Sequence, residues 1–85
     1  MDNNTNAQAK SVIIYSTPTC HFCILAKEFF REKNIQYTEY NVLADLGKRQ
    51  EMMDKTGQMG VPVIMIDGQT IIGFDQAEVS SLLGI

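Results

Sequence analysis

Residues 16–30 read STPTCHFCILAKEFF and hold both cysteines of the chain, Cys20 and Cys23. Pro18 ends whatever precedes it, because a proline has no N–H and biases the residue before it away from helix. After it the pattern changes. From Cys20 to Lys33 the apolar residues Phe22, Leu25, Ala26, Phe29 and Phe30 fall on one helical face. Lys27, Glu28, Arg31 and Glu32 fall on the other. This predicts an amphipathic helix with Thr19 as its N-cap and Cys20 at or next to the first helical position. The first N–H groups of a helix lack internal partners, and the helix dipole is positive there. A thiolate placed at Cys20 accepts those donors, which suits an attacking sulfur. Cys23 is one turn further on the same side and lies deeper. The pair therefore has the asymmetry of a dithiol exchanger: the outer thiolate attacks a disulfide and the inner thiol resolves the mixed disulfide.

Outward from this stretch, the segments have the punctuation of a compact α/β domain. SVIIYS (11–16) is a short β-branched run and reads as a buried strand. IQYTEYNV (35–42) reads as a second strand, and residues from about 44 to 56 as a helix stopped by Gly57. VPVIMI, then Asp67-Gly68, then QTIIGF reads as a hairpin with a tight turn. DQAEVSSLL is a last helix with Asp75 as N-cap. The order is β-α-β-α-β-β-α, and the opening βαβ crossover is expected to be right-handed. Met52, Met53, Met59 and Met65 read as core filler, DLGKRQEMMDK as a solvated helix face, and Ile24 as a rim residue beside Cys23.

Eighty-five residues make one domain. Residues 1–10, MDNNTNAQAK, have no apolar core of a signal peptide and read as a polar tail, leaving 11–85 as the folded unit. No apolar run approaches the roughly 20 residues of a membrane span. A net charge of −3 argues against nucleic acid or an anionic membrane as partner. A cytoplasmic location is expected, and there disulfides are transient rather than structural. Two other uses of the cysteines compete with this reading. Inert core thiols fit the helix-start context poorly. A structural zinc site wants four ligands, and here there are Cys20, Cys23 and an adjacent His21. No metal site is therefore expected. His21 reads as an exposed residue whose cationic form favours a thiolate beside it.

Four stretches carry a family resemblance in order: YSTPTCHFC, AKEFF, TGQMGVPVIMIDG and IIGFD. With them the chain resembles the glutaredoxins and small glutaredoxin-like redoxins over nearly all of 11–85. The resemblance implies a thioredoxin fold, with a four-stranded mixed sheet of order 2-1-3-4 and helices on both faces. It implies a thiol–disulfide oxidoreductase with Cys20 as nucleophile and Cys23 as resolving thiol. Pro62 is then cis beside the cysteines, and the Val61 backbone is free to pair with an extended substrate. It implies no bound cofactor, a disulfide-containing protein as substrate, and glutathione or a flavoprotein of the thioredoxin-reductase type as electron source. A monomer is expected. The different-class alternative is a glutathione-assisted iron–sulfur carrier that dimerises through Cys20.

Departures from the family pattern bear on the substrate site, for which His21, Phe22, Val61, Pro62, Gly73, Phe74 and Asp75 are the candidates. His21-Phe22 stands where many members have Pro-Tyr. Thr17 and Met59 stand where side chains that hold glutathione carboxylates are common. Gly73-Phe74 replaces a Gly-Gly pair that admits the γ-glutamyl arm. The Phe74 ring either fills that pocket or packs under the last helix. Weak glutathione use is therefore expected, with Lys10, Lys27 or Lys48 the candidate cations to offset it by reaching the groove. The Gly-Phe pair resembles the glutaredoxin-like donors of ribonucleotide reductase, which thioredoxin reductase reduces.

Overall fold

A computed structural model describes residues 10–85, so all but Lys10 of the expected tail lies outside the described residues. Strand β1 (Val12–Ser16) leads to helix α1 (His21–Glu32), β2 (Thr38–Asn41), α2 (Leu46–Thr56), β3 (Val63–Ile66), β4 (Gln69–Ile72) and α3 (Gln76–Leu83). The sheet order is β2-β1-β3-β4. Strand β1 pairs in parallel with β2, and antiparallel with β3, which in turn pairs antiparallel with β4. This is the thioredoxin fold expected from the sequence.

Side-chain alternation along β1 divides the core. Val12 and Ile14 join Ala26, Phe29 and Phe30 of α1 and Val79 of α3 on one face. Tyr15 joins Val42, Met52 of α2 and Val63 on the other. Helices thus cover both faces. In α1 the buried set is Cys23, Ala26, Phe29 and Phe30. Phe22 is 56% exposed and Leu25 is also exposed, against the expected face. Two overlapping stripes exist on this helix, one led by Phe22 and one by Cys23. The sheet takes the stripe led by the small cysteine and alanine, which lets the helix lie close.

The helix ends follow their caps. Asp45 caps α2 by accepting from Lys48 N at 3.0 Å, so this helix starts later than the helix formers alone predict. Gly57 ends it at φ 72°, a left-handed conformation that glycine adopts without a Cβ clash. Asp67 and Gly68 both have positive φ, as a two-residue hairpin of the favoured type requires. Asp67 also anchors the start of the described chain, accepting from Ser11 N at 2.8 Å and facing Lys10 Nζ at 3.7 Å.

One polar contact pins α2 to the sheet. The buried Tyr15 hydroxyl donates to Glu51, and Lys48 Nζ reaches the same carboxylate at 3.1 Å. Burial, with Glu51 beside it, raises the Tyr15 phenol well above its ordinary value. The Tyr15 and Lys48 hydrogen bonds hold Glu51 below the usual carboxylate range. Tyr15→Phe keeps the ring and removes the bond. A hydrogen bond to a charged group contributes roughly 1.5–3 kcal/mol when shielded, and less where water screens the carboxylate. We expect a loss of about 1 kcal/mol, read as a melting temperature lower by about 4–8 °C. An unchanged melting temperature would mean that water replaces the bond at no cost.

Candidate active site

The cysteine pair sits where β1 gives way to α1. A turn closed by Cys20 N donating to Thr17 O at 3.3 Å carries the chain off the sheet. Cys20 itself is extended, with φ −78° and ψ 117°, and it is the N-cap of α1; the expected cap, Thr19, is not. The reason is chemical. The Cys20 sulfur accepts from Cys23 N at 3.2 Å, the role a serine or aspartate oxygen takes at other helix starts. The nucleophile candidate is therefore also the acceptor of an otherwise unpartnered helical N–H.

Both cysteines are free thiols; Cys20 is partly exposed and Cys23 is fully buried. Burial pushes the Cys23 thiol up to about 12, helped by the neighbouring Cys20 and opposed by the Thr17 backbone and Lys27. Cys23 is thus a thiol at neutral pH, and only Cys20 is placed to meet a substrate. A resolving step carried by Cys23 would need its thiolate. Its rate should rise about tenfold per pH unit between pH 6 and 8, since the thiolate fraction does so while pH stays well below the pKa. Rapid-mixing kinetics of a preformed mixed disulfide on Cys20 measure it, and a flat profile would contradict the burial of Cys23 as the limiting factor.

The sheet brings the second half of the site to the same place. The Val61-Pro62 peptide is cis. The Cys20 thiol lies 3.8 Å from Val61 O, to which it donates. Pro62 O accepts from Gly73 N at 2.8 Å, tying the end of β4 to this loop. Gly73 has φ 93°, which an L side chain rarely adopts, so glycine suits the position. Cys20, Cys23, Val61, Pro62 and Gly73 are therefore linked by three hydrogen bonds and the Val61-Pro62 peptide. The remaining candidates lie around them. His21 and Phe22 are exposed on the first turn of α1, stacked edge to face at 5.4 Å. The Phe74 ring packs 5.8 Å from Phe29 against the core. Asp75 caps α3, accepting from Glu78 N at 3.2 Å.

Beside Val61 runs an open cleft of about 200 Å³, lined by Thr17, Val42, Leu43, Arg49 and Met59 over Met52. Arg49 and Leu43 are missing from the sequence-derived site. Met59 is not core, being 49% exposed with its sulfur 3.8 Å from Arg49 Nη2. A signal for Arg49 existed: it precedes the buried Met52 by three residues, so it borders the buried face of α2. The candidate offsetting cations are held in other ion pairs. Lys27 pairs with Glu39 at 2.7 Å, Lys48 with Glu51, and Lys10 with Asp67.

Comparison with known proteins gives this geometry a family. The Glutaredoxin family model matches residues 12–71, from β1 into β4. A glutaredoxin-like 8.6 kDa protein of the rubredoxin operon of Clostridium pasteurianum is 49% identical over 70 residues, spanning 82% of this chain and 93% of that one. Glutaredoxin 3 of Escherichia coli is 37% identical over 65 residues, 76% of this chain and 78% of that one. The crystal structure of a glutaredoxin from Archaeoglobus fulgidus superposes with a TM-score of 0.78 at 16% identity, covering 98% and 96% of the two chains, a likeness of fold alone. Through the matched segment, which holds both cysteines and the cis proline, this chain belongs to the glutaredoxin family of thiol–disulfide oxidoreductases.

Proposed function

We propose that this protein reduces protein disulfides by a two-cysteine route, with Cys20 as nucleophile and Cys23 as resolving thiol. The observation that carries the reading is the pairing of a partly exposed Cys20 sulfur at a helix N-cap with a fully buried Cys23 one turn behind it. A substrate segment lies along Val61 in this reading, pairing with its backbone as an added strand. Phe22 and Met59, both exposed beside this region, supply apolar contact to a protein partner. The protein acts as a monomer, in a reducing compartment such as the cytoplasm, because its dithiol has to be restored every cycle. Replacing each cysteine by serine tests the assignment, since it requires the two variants to fail differently.

The electron source is the finer part of the proposal. Glutathione has two carboxylates, and Arg49 is the one cationic side chain lining the cleft among the described residues. We infer that glutathione is a poor donor and that a flavoprotein of the thioredoxin-reductase type is the better one. The alternative, a glutathione-assisted cluster carrier that dimerises through Cys20, is not better supported.

A further inference from the structure

The resolving step needs the thiolate of a cysteine that is wholly buried, so something has to favour that anion as it forms. Burial raises the Cys23 thiol most and Cys20 adds to it, while the Thr17 backbone and then the Lys27 cation lower it. Lys27 follows Cys23 by four residues on α1, one turn along on the same side.

A lysine side chain is long and free, and a wandering ammonium gives only a weak field. This one is fixed. Lys27 Nζ lies 2.7 Å from Glu39 Oε2 on β2, and the side chain is only 19% exposed. The same Glu39 oxygen accepts from Ser16 Oγ at 2.8 Å. These bonds, Lys27 first, hold Glu39 below the usual carboxylate range, so it stays an anion. Arg31, a turn beyond Lys27, adds to the positive field at Glu39.

An ordinary surface ion pair does not account for Ser16. It ends β1 and is wholly buried, immediately before Thr17, whose backbone faces Cys23. A buried hydroxyl costs free energy unless it is satisfied, and an apolar residue would pack there without that requirement. Its partner is Glu39, and so β1, β2 and α1 are clamped together at the base of the cysteine loop.

We propose that Lys27, held by Glu39 and Ser16, is a positioning residue for resolution, its ammonium favouring the Cys23 thiolate during the second exchange. This rests on the two-cysteine reading above. In that exchange Cys23 gives its proton to solvent. Its thiolate then attacks the Cys20 sulfur, the bond from Cys20 to the substrate breaks, and the substrate leaves as a thiolate. The protein ends as the Cys20–Cys23 disulfide, having given two electrons to the substrate disulfide.

Reaction of the reduced protein with dithiobis(nitrobenzoate) separates the two steps, because each releases one coloured nitrothiobenzoate. In Lys27→Met the first release should stay within about twofold of wild type. The second should slow roughly threefold to tenfold, the influence of one charge a turn away through partly hydrated protein. Lys27→Arg should restore it, Ser16→Ala and Glu39→Gln should give smaller losses, and in Lys27→Met the rising limb of the second release should move to higher pH. An unchanged second release in Lys27→Met would overturn the inference. Equal slowing of both releases with a lower melting temperature would also overturn it, marking Lys27 as structural. A single release in the wild type would instead remove the two-cysteine reading, and the inference with it.

Discussion

Cys20→Ser should lose all disulfide reduction above background, while Cys23→Ser should attack once and then stop. The asymmetry follows from burial. Cys20 is the thiol at the surface, its sulfur against Val61 O and the Cys23 N–H. A serine hydroxyl there keeps the cap but is not ionised at neutral pH, so no nucleophile remains. With Cys23→Ser the first exchange proceeds, and the mixed disulfide on Cys20 then has no intramolecular thiol to break it. Mass spectrometry after mixing with a disulfide-bonded protein, in the absence of small thiols, should show stoichiometric trapping on Cys23→Ser. Cys20→Ser should show none, because Cys23 is fully buried. Equal trapping on the two variants would reject the assigned roles.

The sequence shows the fold through local signals that agree with one another. A β-branched run, a proline, a capped amphipathic stretch and an Asp-Gly turn each point to the element found, and the Val-Pro and Gly-Phe-Asp stretches fix their order. What it leaves open is whatever depends on which of two surfaces wins. Phe22 and Cys23 head competing apolar stripes on α1, and only the sheet beneath decides between them. Phe74 has two homes within reach of its rotamers, and the packing of Phe29 selects the inward one. Arg49 reads as one charge on a solvated helix until α2 is laid beside Val61 and Met59. Ser16 and Glu39 are 23 residues apart, so their bond exists only once β1 and β2 pair in parallel. Even the α1 cap is decided by the turn at Thr17–Cys20 and not by residue type, since thiols seldom compete with threonine for that role.

Coupled NADPH oxidation should run faster with a thioredoxin-reductase-type flavoprotein than with glutathione and its reductase, by roughly tenfold to a hundredfold. The charge of the groove sets this difference. Two carboxylates of glutathione call for partners, and a charge-assisted hydrogen bond contributes about 1.5–3 kcal/mol, close to one to two powers of ten in binding. Arg49 can meet one carboxylate from the cleft wall. Lys10, Lys27 and Lys48 are held in ion pairs. The Gly73 N–H donates to Pro62 O, and the Asp75 carboxylate accepts from Glu78 N at the start of α3. The second carboxylate is therefore short of donors. The Phe74 ring lies against Phe29, so the expected difference is argued from charge. A protein donor does not depend on those carboxylate contacts; it can use the Val61 edge and the exposed Phe22 and Met59 instead. Arg49→Ala should lower glutathione turnover by a further tenfold or so, because it removes the one cation lining the cleft. Efficient turnover with glutathione alone, insensitive to Arg49→Ala, would show that backbone donors suffice to hold the tripeptide and would make glutathione the electron source of this protein.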